Sequence, residues 1–218
     1  GLDDDGDGLS GCADLDCSGT LACMQCGDGL CSAPEHVGSC PVDCGDGAGC
    51  GVSDVVLGEI AWGPPNYVEL ITRGTCAWSV TGLTLSYRFD GDSVVQSFTF
   101  PRGRVAPGEP FRAVERLEAG LESEVSTGSP IAHTFGEGGW AMLCNGPCDL
   151  TGCANVLDFV ALSGSTAPAG APACASFTPA PIDATAAVAG DSVTRTGMSA
   201  AGAQGQAGDW SLLPESRD

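Results

Sequence analysis

Apolar and polar residues alternate over short stretches from about residue 54 onward, with the period of two that is typical of β-strands. In Leu83–Tyr87 and again in Ser97–Phe100, every second side chain is apolar. Seven stretches are rich in β-branched or aromatic residues and are bounded by Gly, Pro, Asn or Asp. They are Val55–Ala61, Asn66–Ile71, Leu83–Phe89, Ser93–Phe100, Pro110–Glu115, Trp140–Cys144 and Val156–Leu162. The pattern predicts a mainly β protein, an antiparallel sandwich or barrel.

The segments between these strands indicate how they are connected. Asp90-Gly91 is typical of a hairpin turn and predicts that the strands on either side pair with each other. Leu117–Val125 is predicted to form a short helix. Ser163–Gly190 is rich in Ala, Pro and Gly and is predicted to be a long connection or insertion. A domain of about 165 residues buries roughly 70% of its unfolded surface, so it is expected to fold around its own core.

The first fifty residues differ in composition from the rest. They contain nine Asp and one Glu, no Lys or Arg, and eight of the thirteen cysteines. A segment with so few large apolar residues cannot offset its chain entropy by burial, so disulfides and bound metal are expected to stabilise it. The sequence therefore predicts a loop-dominated, disulfide-rich stalk at residues 1–50 and a β-sandwich at residues 54–218, with Gly45–Gly51 as a hinge.

Acidic residues near the start of the chain have the spacing of a calcium-binding loop. Asp residues and one glycine occupy positions 1, 3, 5, 6 and 12 of a twelve-residue loop that begins at Asp3. Ca²⁺ takes about six to eight oxygen ligands, and Gly8 permits the sharp turn that such a loop makes. Ca²⁺ is therefore the expected cofactor. The predicted ligands are the side chains of Asp3, Asp5, Asp7 and Asp14 and the carbonyl of Leu9, with Asp16 supporting them.

Cysteine content and charge indicate where the protein works. Thirteen cysteines in 218 residues, together with calcium chemistry, predict an oxidising compartment, so we expect the protein to be secreted or on a cell surface. No run of about 18 apolar residues occurs, so we expect no membrane span, and we expect any targeting peptide to have been removed. A net charge of −20 disfavours nucleic acid as a partner and favours calcium-dependent association.

The cysteines themselves allow more than one interpretation. Their number is odd, so one is expected to be unpaired or bonded between chains, unless residues have been lost before Gly1. Four cysteines in the stalk also have the spacing of a tetrahedral zinc site, and Cys23 with Cys26 have the spacing of a redox pair. The interleaved neighbours and the oxidising context favour disulfides. Disulfides are predicted for Cys12, Cys17, Cys23, Cys26, Cys31, Cys40, Cys44, Cys50, Cys76, Cys144, Cys148, Cys153 and Cys174, and the alternative zinc ligands are Cys23, Cys26, Cys40 and Cys44.

Several stretches of the predicted sandwich follow the pattern of a known domain. They are Val56–Trp62, Tyr67–Leu70, Ser79–Leu85, Val156–Val160, Ser192–Arg195, Asp209-Trp210 and Leu213-Pro214. In this order they resemble the opening, central and closing segments of a lamin-tail domain, over about residues 54–216. The resemblance implies an immunoglobulin-like β-sandwich. Bacterial domains of this family are similar to modules attached to extracellular nucleases and phosphatases.

The stalk has a resemblance of its own. The Asp-rich stretch at residues 3–17 and the Cys-Gly-Asp-Gly-Leu-Cys stretch at residues 26–31, with Ser39–Cys44 after it, resemble segments of secreted myxobacterial proteins. The likeness implies a second calcium site built from Asp28, Glu35 and Asp43, although Ser32 stands where such modules often carry Asp. A bacterial surface or secreted protein is the origin that this resemblance implies.

Catalytic interpretations rest on few residues. Glu59 and Glu69 lie in apolar strands and have the residue types of a glycosidase acid–base pair. In lamin-tail domains, acidic residues at these positions belong to the ordinary strand pattern, so we expect each carboxylate to bind neighbouring backbone or Arg. The chain has two histidines, His36 and His133, and a triad would need one of them. Both are expected to have no catalytic role.

The aromatic residues offer one binding hypothesis. Flat rings stack on sugar faces, but aromatics make up only 6% of the chain, so most are expected in the core. Trp62, beside Gly63-Pro64-Pro65, is the one expected to be exposed, and the others are Tyr67, Trp78, Trp140 and Trp210.

The sequence as a whole predicts a non-catalytic extracellular protein with a structural or adhesive role, such as a subunit of a fibre or cell-surface assembly. Its expected partners are other protein subunits, a surface polymer or further copies of itself. The alternative is an accessory or targeting module of a secreted hydrolase, a nuclease or a phosphatase.

Overall fold

The computed structural model describes residues 52–61, 65–89, 94–115, 123–128, 131, 138–162, 182–188, 190–197, 209–214 and 216. A 3-10 turn at Val52–Asp54 leads into the first strand. The strands are β1 (Val55–Ala61), β2 (Tyr67–Thr72), β3 (Trp78–Ser79), β4 (Leu83–Phe89), β5 (Gln96–Thr99), β6 (Arg104–Val105), β7 (Phe111–Val114), β8 (Glu124–Ser126), β9 (Gly139–Asn145), β10 (Val156–Leu162), β11 (Asp191–Arg195) and β12 (Trp210–Pro214).

The strands form two main sheets, which confirms the predicted mainly β fold. One sheet has six strands in the order β12-β11-β1-β2-β7-β8, and the other has four in the order β10-β9-β4-β5. A two-stranded ribbon joins β3 to β6. All pairs are antiparallel except β7 with β8, which run parallel at one end of the six-stranded sheet. A sandwich of mixed rather than purely antiparallel pairing is therefore formed.

All seven predicted strands are present, with ends that shift by a few residues. β4 and β5 pair as the hairpin prediction requires, while Asp90-Gly91 itself lies outside the described residues. The helix predicted at Leu117–Val125 is wrong at its end, because Glu124 and Val125 belong to β8. Val125 pairs with Ala113 and is 8% exposed, so burial against β7 overrides the local preference.

The core lies between the two sheets and uses the alternation of the strands. β4 directs Leu85 and Tyr87 inward, where they meet residues such as Phe111 from the opposite sheet. β1 carries a bulge between Leu57 and Glu59, so both Leu57 and Ile60 face the core although they are three residues apart. The bulge turns Glu59 to the outer face of the six-stranded sheet.

The outer face of the four-stranded sheet is also largely buried. Trp140 and Met142 of β9 pack there with Phe159 of β10. On β4 and β5 the same face carries hydroxyls, and the Oγ atoms of Ser86 and Ser97 lie 2.7 Å apart. The apolar half of this face is therefore covered, and the half nearest β5 is polar.

Candidate functional site

A buried ion pair joins the two sheets. The Arg195 Nη2 donates to Asp158 Oδ2 at 2.6 Å, and each side chain is only 1% exposed. Asp158 also accepts hydrogen bonds from the amides of Leu57 at 2.9 Å and Phe159 at 3.0 Å. The Arg195 guanidinium carbon lies 4.6 Å from the centre of the Trp210 ring. Four strands, β1, β10, β11 and β12, are thereby held at one point.

The bulge in β1 explains why this pair is needed. The β1–β11 ladder ends at Glu59 with Thr194, so the backbone of Leu57 lies beyond it. Asp158 accepts from the Leu57 amide, and Arg195 Nε donates to the Leu57 carbonyl at 2.8 Å. Burial raises the pKa of the Asp158 carboxyl, whereas Arg195 and the two amides lower it. Every contact of this carboxylate is a donor, which favours its ionised form, and the pair has a structural role.

A row of polar side chains crosses the six-stranded sheet on its outer face. Its members are register partners on adjacent strands, from β12 to β8. They are Ser211, Thr194, Glu59, Glu69, Arg112 and Glu124. We call this set the polar row. It contains three carboxylates and one guanidinium, so its formal charge is negative.

Glu59 and Glu69, considered above as an acid–base pair, stand side by side in the polar row. Glu59 is 0% exposed and Glu69 is 7% exposed. Glu59 accepts hydrogen bonds from the amide and the hydroxyl of Ser216, and Glu69 accepts one from Arg112 Nε at 3.0 Å. Each carboxylate thus binds neighbouring backbone, hydroxyl or Arg, as expected. In this arrangement neither is open to a substrate.

Burial governs the ionisation of this region. It raises the pKa of the Glu69 carboxyl, with Glu59 adding to the effect and Arg112 opposing it. Burial beside Glu59 also raises the pKa of the Tyr67 phenol. The Arg112 guanidinium carbon lies 5.2 Å from the centre of the Tyr67 ring. The polar row is thus packed within the fold, with one aromatic ring beside it.

Glu69→Gln is expected to make stability less dependent on pH. A carboxyl whose pKa is higher in the folded state than in the unfolded state binds its proton more tightly when folded. The free energy of unfolding therefore falls as pH rises from the ordinary value near 4.5 through the raised pKa of Glu69. Denaturant unfolding at a series of pH values measures the slope. The same slope in both proteins would contradict the assignment.

The edges of the two sheets differ in their protection. β12 ends at Pro214, which has no amide hydrogen to offer a further strand. β8 is covered, since Glu124 is 0% exposed and Val125 is 8% exposed. β10 is bridged by Ile182, whose amide donates to the Ala161 carbonyl at 2.8 Å. In the described residues, each of these three edges is thus obstructed at one or more positions.

The fourth edge, on β5, has no neighbouring strand among the described residues. Phe100, just after β5, bonds to the β4 side through both its amide and its carbonyl, at 2.9 Å each. The β4–β5 register is regular, and successive residues of a strand direct their backbone groups to opposite sides, so Ser97 and Thr99 point away from β4. Within the ranges that the structure describes, no strand pairs with that side. Ser97 and Thr99 are exposed, and Val94 is 60% exposed.

The sequence of this edge favours pairing with another strand. Val94–Phe100 contains seven residues with no charge, no Pro and no Gly, and most are β-branched or aromatic. Proteins usually protect exposed edges with charges, Pro or a covering segment, and uncharged segments of this kind pair readily. We call Val94–Thr99 the open edge. Sequence reasoning predicted a strand here but not an edge; the uncharged window was the available signal.

Most of the sequence-predicted site residues lie outside the described residues. These are the calcium ligands Asp3, Asp5, Asp7, Leu9, Asp14 and Asp16, the second set Asp28, Glu35 and Asp43, the eight stalk cysteines and Cys174, with His36, Trp62 and His133. Among the residues that are described, no group of three or more His, Cys, Asp or Glu is placed to hold a metal ion. The calcium sites stay predictions.

The described cysteines and aromatic residues can be located. Cys144 and Cys148 form a disulfide that closes the turn after β9. Cys76 and Cys153 each take part in a disulfide as well. The core assignment of the aromatics is confirmed for Tyr67, Trp78, Trp140 and Trp210, which are all 5% exposed or less. In the described ranges, no helix has the length and apolarity needed to cross a membrane.

Comparison with known proteins gives little more. No protein-family model matches the chain, and no curated protein matches it. Among solved structures, the chain is similar to one described as the archaeal flagellum of Methanospirillum hungatei strain JF1, with 11% sequence identity and a TM-score of 0.30. The match covers 51% of this chain and 65% of that one. A likeness this slight supports no conclusion about fold or function.

Proposed function

We propose that this chain is a non-catalytic extracellular protein with a structural or adhesive role, a subunit of a fibre or cell-surface assembly. The open edge of β5 is the observation that carries this role. Among the described residues, no strand pairs with the outward backbone donors and acceptors of Ser97 and Thr99, and strand addition at such an edge is a common way for proteins to dock. The partners are other subunits or a surface polymer.

The use of charge inside the sandwich supports a structural role. Asp158 is bonded to Arg195 and to two amides, and Glu69 is bonded to Arg112. Glu59 is held by Ser216. Acid–base catalysis needs a carboxyl within reach of a substrate, and these groups are instead partners of the fold.

Calcium is proposed to control assembly through the acidic stalk. The chain has 28 acidic and 8 basic residues, so its net charge opposes growth into large assemblies in the absence of divalent ions. Ca²⁺ bound by Asp3, Asp5, Asp7, Leu9 and Asp14 lowers this repulsion and orders the stalk. The lamin-tail resemblance and the secreted bacterial segments that the stalk resembles agree with an extracellular location.

Light scattering of the purified chain in millimolar Ca²⁺ and in EDTA tests this function. We expect particles that grow with concentration in Ca²⁺ and dissolve in EDTA, while hydrogen exchange in EDTA speeds up at residues 1–20 and stays unchanged in the sandwich. The sandwich core does not depend on the ion, which is the reason for that difference. A chain that remains small in both buffers would contradict an assembly role and would favour the accessory module of a secreted hydrolase.

A further inference from the structure

We infer, building on the assembly role proposed above, that the open edge of β5 pairs with the same edge of a second copy of this chain. The two strands run antiparallel around a two-fold axis at Ser97. This pairing joins the two four-stranded sheets into one sheet of eight strands, in the order β10-β9-β4-β5 and its symmetry mate.

The directions of the backbone groups select the register. The residues whose amides and carbonyls point away from β4 are Ser97 and Thr99, and Val95 follows the same alternation. With Ser97 opposite itself, Val95 of one copy lies opposite Thr99 of the other. All three residues then form hydrogen-bonded pairs. A register centred on Phe98 instead places Val95 opposite Pro101, which has no amide hydrogen to donate.

The charge pattern identifies the partner as a second copy. The facing residues of this register are all uncharged, so no like charges meet along the edge although each chain carries a net charge of −20. In the sequence, acidic residues precede the strand, at Asp90 and Asp92, and basic residues follow it, at Arg102 and Arg104. In this register, the sequence positions of Asp92 and Asp90 in one copy match those of Arg102 and Arg104 in the other.

The symmetry also limits what this edge can build. An edge that pairs with itself closes a dimer and leaves no further copy of the interface. In the described residues, the other three edges are each obstructed at one or more positions, so we expect strand pairing to stop at two chains. Growth beyond the dimer then needs a different contact, and the calcium-binding stalk supplies it in the function proposed above.

Size-exclusion chromatography with light scattering in EDTA tests the pairing on the full chain. We expect wild-type protein at twice the monomer mass of 21.8 kDa. Ser97→Lys places two ammonium groups opposite each other across the axis, so this variant is expected to run as a monomer at the same concentration. Ser53→Lys makes the same change at an exposed serine before β1 and is expected to remain a dimer.

A second variant and a second buffer distinguish failure of the β5 pairing from failure of calcium-dependent assembly. Ser97→Pro removes the outward amide hydrogen and leaves the backbone hydrogen bonds between β5 and β4 in place. Like Ser97→Lys, it also removes the hydroxyl that bonds Ser86, and it is also expected to be a monomer. Near-ultraviolet circular dichroism establishes that each variant has the native core. The pairing is overturned if wild-type protein is a monomer in EDTA, or if folded Ser97→Lys protein is still a dimer. The assembly role is decided separately, by whether wild-type protein forms larger particles in Ca²⁺. A dimer in both buffers supports the pairing and contradicts that role.

Discussion

Asp158→Asn is expected to lower the free energy of unfolding of the sandwich by about 3–5 kcal/mol. Asn keeps the size of the side chain but not its charge, so Arg195, with a side chain that is 1% exposed, remains as an uncompensated buried cation. The amides of Leu57 and Phe159 also lose an ionised acceptor. Denaturant unfolding with the disulfides intact, followed by tryptophan fluorescence, measures the change.

Two further variants test the cause of this loss. Glu109→Gln removes one partner of the exposed Arg104–Glu109 pair, in which the side chains are 34% and 66% exposed, and it is expected to have little effect. Asp158→Leu combined with Arg195→Met removes both charges of this pair and is expected to recover part of the stability. The recovery is partial because the amide and carbonyl of Leu57 lose their partners. If the single change at Asp158 were as mild as the change at Glu109, the buried pair would not hold the sheets together.

Gly103→Ala is expected to lower the free energy of unfolding by about 2–4 kcal/mol, from backbone strain and overpacking together. Gly103 has a φ of 132°, which L side chains rarely adopt. A Cβ there would lie 2.5 Å from Phe111 Cζ and 2.7 Å from Val80 Cγ2. Both neighbours are at most 1% exposed, so neither can move into solvent. Thermal or denaturant unfolding measures the loss.

Gly108→Ala is the matched control for this substitution. Gly108 also has a positive φ, of 80°, but a Cβ there would meet nothing within 4 Å. Its loss is expected to be the backbone strain alone, about 1 kcal/mol. The difference between the two variants measures the close packing of Phe111 and Val80 against the backbone at Gly103. Equal losses would contradict that packing.

The alternation of apolar and polar residues was sufficient to locate the strands that bury one face. β1, β4, β9 and β10 appear where the apolar periodicity predicted them, because each buries one face against the other sheet. The pattern failed at β8, where the local sequence favoured a helix and contact with β7 decided otherwise. It also missed β11 and β12, which lack a clear alternation of apolar and polar residues. β11 forms a strand by pairing with β1, and β12 forms one by pairing with β11.

The sequence by itself determined the fold class, the strands with strong alternation, and the acidic and Cys-rich composition that predicts calcium and disulfides. Tertiary structure alone decided which edge stays open, because an edge is defined by the strands that fail to pair beside it. It also brought Asp158 and Arg195, 37 residues apart, to the Leu57 backbone. Spacing along the chain cannot encode such contacts, since they depend on how two sheets stack and where a bulge leaves backbone groups unpaired.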